Sequence, residues 1–273
     1  MEVLKARHTG FCFGVKRAIN MVLKEAEKGT GRLYTIGPII HNPQMVNILK
    51  KKGIVPIEDV FKIKSGTVVY RTHGIKKEEE AYIERQGLKI IDTTCPFVKR
   101  VRRYAMYLRK KGYKVVITGD QNHPEVKSVL SYLDNDGIVL QKSVPLSAQK
   151  IGVVSQTTLD EETFLHIVEG LIKGAEELRV YNTICRSTGI RQKEAATLSV
   201  KVDAMLIVGG KNSSNTTKLY NIVKTVQPNA YFIETEKDIK PEWFSGLHTV
   251  GITGGASTPD RIIDLVERRV KNI

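Results

Sequence analysis

Residues 90–104 read IIDTTCPFVKRVRRY, an apolar run that ends in Asp-Thr-Thr-Cys-Pro and then turns basic. Pro96 suits the first turn of a helix, where its missing N–H is not needed. Behind it Val98, Val101, Tyr104, Ala105 and Leu108 recur at helical spacing, so Cys95 stands at a strand-to-helix joint. The other two cysteines stand at joints of the same kind. After Cys12 the stripe is Val15, Ala18, Ile19, Val22, Leu23 and Ala26, and after Cys185 it is the weaker Ile190, Glu194–Ala195 and Leu198. Short apolar strands alternating with amphipathic helices predict an α/β protein with mainly parallel sheets.

Nine such joints fall into three sets of three. The first holds TGFCFGV, TIGPIIHNPQMV and VVYRTHGIKKEE; the second IIDTTCPFV, VVITGDQNHPEV and IGVVSQTTLDEE; the third RVYNTICRST, AMLIVGGKNSSNTT and TVGITGGASTPD. His41 follows its cysteine by 29 residues, and His123 and Ser213 follow theirs by 28. The third joints, at His73, Thr157 and Ser257, follow by 61, 62 and 72. Self-similarity at a period of about 90 residues reads as three copies of one α/β unit. The expected division is 1–88, 89–178 and 179–273. Ligands of parallel sheets bind beyond the carboxyl ends of the strands, where these joints lie. Three similar domains in a pseudo-threefold trefoil would turn all nine joints toward one central cavity and bring the cysteines together.

The chain has 273 residues, 43 Lys and Arg against 29 Asp and Glu, and a formal charge of +14. Its basic runs (KRVRRY, LRKKGYK, LKKKG) are scattered and lack aromatic interleaving, so no nucleic-acid partner is expected. No stretch reaches the roughly 20 apolar residues of a membrane span. The start, MEVLKARHTG, lacks a secretory signal, so a cytoplasmic protein without a membrane partner is expected. In that compartment an odd number of distant cysteines does not read as disulfides. The bland reading is three unrelated buried thiols.

Three thiolates meeting in a cavity suit a soft metal centre instead. Zinc sites with short Cys-x2-Cys spacings are absent from the sequence. An iron–sulfur cube on three cysteines leaves one iron open, and a helix start favours the thiolate form of each ligand. His41, His73, His123, Thr157, Ser213, Ser214, Asn215 and Ser257 add hydrogen-bonding groups at presumed helix starts, a pattern suited to phosphate. Glu125, two residues after His123, is either a first-turn glutamate or a proton donor raised in pKa by its cavity. His8, His166 and His248 read as structural.

Taken together, GFCFGVKRAI, GPIIHNPQMV, THG, TTCPFVKRV, HPEV, QTT, NTICRSTGIRQ, NSSNT and GASTP resemble the LytB/IspH family of 4-hydroxy-3-methylbut-2-enyl diphosphate reductases. The resemblance runs through the chain in order. It implies one 4Fe-4S cluster per chain on Cys12, Cys95 and Cys185, with one iron not ligated by cysteine. It implies the last step of non-mevalonate isoprenoid synthesis, in which an allylic diphosphate loses its hydroxyl with two electrons and two protons. The diphosphate would be held by His41, His73, His123, Ser213, Ser214, Asn215 and Ser257. Glu125 and Thr157 would be catalytic, and electrons would come from a reduced ferredoxin or flavodoxin. Such carriers are acidic, which gives the basic surface a use.

The sequence departs from the family pattern at Asp120 and Ser128, where histidine and glycine are common. It departs again at Asn182, Arg186 and Ser187, where aspartate, an aromatic residue and alanine are common. Two other readings stay open on the residues alone. A hydro-lyase on a three-cysteine cluster would show arginines in its substrate joints for carboxylates. A basic anion-binding protein with buried thiols would be colourless and bind in a steeply salt-dependent way.

Overall fold

The computed structural model describes residues 1–29 and 31–273. After Cys12 come α1 (Phe13–Glu27), β2 (Leu33–Ile36), α2 (Pro43–Lys51), β3 (Ile54–Ile57), β4 (Thr67–Tyr70), α3 (Lys77–Arg85) and β5 (Lys89–Asp92). After Cys95 come α4 (Pro96–Lys110), β6 (Lys114–Thr118), α5 (Pro124–Ser131), β7 (Ile138–Leu140), β8 (Ala148–Ser155), α6 (Glu161–Ile172) and β9 (Ala175–Tyr181). After Cys185 come α7 (Arg186–Ser199), β10 (Ala204–Val208), α8 (Ser214–Val226), β11 (Ala230–Ile233), β12 (Thr249–Gly254) and α9 (Asp260–Lys271). The strand missing from this third succession is β1 (Glu2–Lys5), at the other end of the chain.

The strands build three four-stranded sheets, ordered β3-β2-β4-β5, β7-β6-β8-β9 and β11-β10-β12-β1, and every pairing is parallel. The three orders are the same order, so the repeat seen in the joints is a repeat of sheet topology. It is offset by one strand from the cysteine periods. The strand ahead of each cysteine is the outer strand of the preceding sheet, so the boundaries expected at 88/89 and 178/179 fall at the start of β5 and inside β9. An apolar run announces a strand but not the neighbour it bonds to. Parallel strands need a helical crossover between them, and α3 and α6 supply it backward. The longer third spacing, to Ser257, comes from residues 234–248, which carry short 3-10 turns at Glu236–Asp238 and Pro241–Phe244.

The chain forms two compact units. One comprises Met1–Val15, His41–Met45 and Arg186–Ile273, with the sheet containing β10. The other comprises Lys16–Ile40 and Val46–Cys185, with the remaining two sheets. Central strands are buried on both faces, as parallel sheets require. Along β10, Ala204, Leu206 and Val208 enter one core while Met205 and Ile207 enter the other. Along β6, Val115 and Ile117 face one way and Val116 the other. Helix α4 buries Val98, Val101, Ala105 and Leu108, the stripe read from the sequence. Helix α7 follows its expected stripe only in part: Ala195 is buried and Leu198 packs against the same core. Ile190 is 46% exposed, and the inward face carries Thr188, Arg191, Gln192, Ala195 and Ser199. On that face Arg191 bonds backbone carbonyls at His8, Thr9 and Gly254, so hydrogen bonding joins apolar packing in setting its orientation.

Gly152 in β8 lets α4 pack closely: a Cβ there would lie 2.7 Å from Leu108 Cδ2 and 3.0 Å from its Cγ. Gly152→Ala is expected to destabilise the fold by about 1–3 kcal/mol through overpacking, and Leu108→Ala by about 2–5 kcal/mol through a cavity. Combined, they should cost less than the sum. Denaturant melts in a double-mutant cycle test this, and strict additivity would deny the contact.

Candidate active site

Each cysteine immediately precedes the first residue of a helix: Cys12 before Phe13, Cys95 before Pro96, Cys185 before Arg186. Among the described residues none of the three forms a disulfide, and all three are half-buried. Their backbone N–H groups are fixed in the same way. Cys12 donates to Ala256 O (3.0 Å), Cys95 to Thr72 O (3.0 Å) and Cys185 to Thr157 O (2.9 Å), each acceptor two residues beyond the end of a strand. By this register Thr157 corresponds to Thr72 and Ala256. Thr158 therefore stands in the slot of His73 and Ser257, one residue later than the sequence spacing placed it.

The turns ahead of the cysteines are held from below. Thr93 Oγ1 donates to Tyr70 O, and Thr183 Oγ1 donates to Ser155 O (2.6 Å) while accepting the Ser155 N–H (2.7 Å). The Asx turn made by Asp92, whose Oδ1 accepts the Thr94 N–H at 2.9 Å, is repeated by Asn182, whose Oδ1 accepts the Ile184 N–H at 3.1 Å. The amide serves this turn as well as a carboxylate would, which accounts for the departure at Asn182. Before Cys12 the slot is Gly10, at φ +71°, where a Cβ would lie 1.6 Å from Asp260 Oδ1. The rest of that turn hangs on Arg191, 4% exposed, which donates to His8 O (2.7 Å), Gly254 O (3.1 Å) and Thr9 O (3.4 Å). Glu194 accepts the N–H groups of Arg7 and His8 and pairs with the His8 ring at 3.3 Å. His8 is thus a structural histidine, and His166 and His248 are exposed.

In the unit that contains Cys12, a polar cluster surrounds two helix starts. Asn42 Oδ1 caps α2 through the Met45 N–H (2.9 Å), and Ser213 caps α8 by accepting the Thr216 N–H (3.4 Å). Ser257 Oγ lies 3.4 Å from Ser213 Oγ and donates to His41 O at 3.3 Å. Gly210 permits the close approach of His41, since a Cβ would meet the His41 carbonyl at 2.7 Å. Asn215 is 5% exposed, and among the described residues neither atom of its side-chain amide has a partner. A buried amide without partners is a standing demand for a ligand. Ser214, half-buried, opens the first turn of α8 beside it.

In the other unit, His73 and His123 meet edge to face, their ring centroids 5.4 Å apart. The His73 turn is tied down by Arg71 Nε to Gly74 O (3.1 Å) and by Ser128 Oγ to Ile75 O (2.6 Å). Ser128, a departure from the family pattern, thereby joins the two histidine turns. His123 caps α5 with Nδ1 accepting the Glu125 N–H (3.2 Å). Glu125 is 1% exposed, with Oε1 accepting the Thr157 N–H and Oε2 its hydroxyl, both at 2.7 Å. Burial pushes its pKa up to about 7, against the lowering pull of both Thr157 hydrogen bonds. A carboxyl so poised exchanges its proton at neutral pH. The loop that carries it is held by Gln156, whose Oε1 accepts the Asp120 N–H (2.9 Å) and whose Nε2 donates to Thr158 Oγ1 (2.9 Å).

Sequence reading assigned no part to Asn42, Arg191, Gln156 or Thr216. Asn42 and Gln156 adjoin residues it did select; Asn42 makes a local helix cap with Met45, whereas the bond of Gln156 to Asp120 reaches across the fold. Replacing the Thr157 hydroxyl removes a hydrogen bond that favours the anion, so Thr157→Val is expected to raise the Glu125 pKa further above 7. Carboxyl-region infrared or carbon NMR titration checks the direction; a fall would contradict the pairing.

Comparison with known proteins follows the same lines. The LytB protein family model matches residues 3–271. The 4-hydroxy-3-methylbut-2-enyl diphosphate reductase of Aquifex aeolicus (strain VF5) is 44% identical over 280 residues, covering all of this chain and 97% of that protein. The enzyme of the same name from Geobacter metallireducens is 41% identical over 277 residues, covering 100% and 98%. A solved (E)-4-hydroxy-3-methyl-but-2-enyl diphosphate reductase, described as the terminal enzyme of the non-mevalonate pathway, is 44% identical, with a TM-score of 0.74 and complete coverage of both chains. The Plasmodium falciparum E-1-hydroxy-2-methyl-but-2-enyl-4-diphosphate reductase is 26% identical, with a TM-score of 0.91 over 99% of this chain and 87% of its own. By full-length sequence and by fold, the chain belongs to the LytB family.

Proposed function

We propose that this chain reduces 4-hydroxy-3-methylbut-2-enyl diphosphate to isopentenyl and dimethylallyl diphosphate, using one 4Fe-4S cluster bound by Cys12, Cys95 and Cys185. The observation that carries the reading is the threefold recurrence of one cysteine joint, each cysteine outside any disulfide, at a helix start and on a pinned amide. Thiolates in that setting suit an iron–sulfur cluster. When bound, the cluster supplies the two electrons and a Lewis-acidic iron.

The remaining work falls to side chains. His41, Ser213, Ser214, Asn215 and Ser257, with His73 and His123, hold the diphosphate; the unpartnered Asn215 amide supports this assignment. Glu125, protonated near neutrality, gives its proton to the departing hydroxyl, and the Thr157 hydroxyl on Oε2 orients the carboxyl and relays the second proton. Two electrons and one proton break the C–O bond and release water, and the second proton forms the new C–H bond on the allyl carbon. The electrons arrive singly from a reduced ferredoxin or flavodoxin, in the cytoplasm, with neither nucleic acid nor membrane as partner. No helix among the described residues is long and apolar enough to cross a membrane.

Anaerobic purification is expected to give a brown protein with about four irons per chain. It should turn over the allylic diphosphate with an artificial reductant. Iron-free protein without turnover would overturn the reading. Glu125→Gln should keep iron and substrate binding but lose turnover by about 10²–10⁴-fold, the usual worth of a positioned acid; near-normal rates would remove Glu125 from the proton path. In the parent protein, turnover should fall as pH rises through about 7, because the acid is then unprotonated. Cys95→Ser should lose iron; a fully loaded variant would contradict its role as a ligand.

A further inference from the structure

Helix α4 begins on the residue after Cys95, and its outer side is a groove of about 630 Å³ lined in part by Phe97, Lys99, Arg100, Arg102, Arg103 and Met106. Lys99 is paired with Asp92. Among the described residues no carboxylate pairs with Arg100, Arg102 or Arg103. Their guanidinium groups lie instead on ring faces: Arg100 5.3 Å from the Phe97 centroid, Arg102 4.2 Å from Tyr132 and Arg103 5.7 Å from Tyr104. Arg100 Nε is buried without a hydrogen-bond partner among the described residues. A guanidinium stacked on a ring is held in place while its in-plane donors stay available to an incoming carboxylate. Between these charges Met106 is 45% exposed. Arginine and methionine around a small apolar centre are the composition of a protein interface core, and the uncompensated charge selects an acidic partner.

We infer that this groove is the docking surface for an acidic protein that carries a one-electron cofactor, an iron–sulfur or flavin protein. The inference rests on the reductase reading above and adds to it the place where electrons enter. The groove starts at the first residue of the helix that Cys95 opens, so a carrier seated there stands within the first turns of the helix from the ligand sulfur. Each docked carrier gives up one electron. Two dockings deliver two electrons; with one proton they break one C–O bond of the substrate and release water, and the second proton forms the C–H bond of the product.

The test uses the holoenzyme with two reductants. Reduced flavodoxin and reduced ferredoxin serve as protein carriers, and dithionite as a small reductant that needs no docking surface. In Arg103→Glu, and in a milder triple variant with Arg100→Gln, Arg102→Gln and Arg103→Gln, the carrier KM and the Kd of the oxidised carrier should rise on the order of tenfold, with a flatter salt dependence. Iron content and turnover with dithionite should stay as in the parent. Arg268→Glu/Arg269→Glu on α9 should change none of these. Unchanged carrier KM and Kd in both groove variants, with dithionite turnover intact, would overturn the docking site while leaving the reductase reading standing. A parent protein without iron or dithionite turnover would instead overturn that reading. Phosphatidylglycerol vesicles or single-stranded RNA bound by the parent and lost by the variants, at unchanged carrier affinity, would assign the groove to a polyanion and overturn the inference.

Discussion

A backbone hydrogen bond from each cysteine to a carbonyl just past the end of a strand is the contact on which the candidate site depends. One such bond contributes only about 1 kcal/mol. Its larger effect is positional, because it fixes where the following helix starts and therefore where the sulfur and the free N–H groups of the first turn point. Cys12 meets Ala256, Cys95 meets Thr72 and Cys185 meets Thr157. In two of the three cases a threonine hydroxyl two residues earlier ties the same turn to the strand end. In the third, Gly10 leaves no room for a side chain, and Arg191 and Glu194 hold the turn from α7. One geometry is thus reached by two chemical routes.

Polar groups in the site are divided between those that are satisfied and those that are not. Glu125 is buried and fully engaged by Thr157, which keeps it in one rotamer and available as an acid near neutrality. Asn215 is also buried, but among the described residues its amide has no partner. A buried polar group costs folding free energy unless something bonds to it. The first arrangement suits a residue that transfers a proton, and the second suits one that holds a ligand.

Much of this architecture was legible in the sequence because it depends on periodicity. The stripe behind Cys95 places Val98, Val101, Ala105 and Leu108 inward, and the recurrence of nine joints corresponds to three sheets of one topology. Strand partnership was not legible, since Lys89–Asp92 and Ala175–Tyr181 read as strands whichever sheet receives them. The orientation of α7 was partly hidden because its inner face is also set by Arg191 bonding carbonyls far away in sequence. Thr157 was placed one residue off its structural equivalents because a joint's length can be read without its register. The supporting role of Gln156 is invisible without its tertiary contact to Asp120, whereas the local cap by Asn42 ahead of Pro43 was legible and overlooked.

The sheet completed by β1 has a consequence for how the molecule comes into being. Glu2 lies opposite Thr249 and Lys5 opposite Ile252, so β1 bonds to a strand that is made much later than itself. Until β12 is synthesised, that opening segment has no ladder to join, and the turn leading to Cys12 lacks Arg191 and Ala256. Contacts so distant along the chain close late, because the entropy of a long loop must be overcome before they form. One of the three sulfur positions therefore matures after the other two, once β12 has been made.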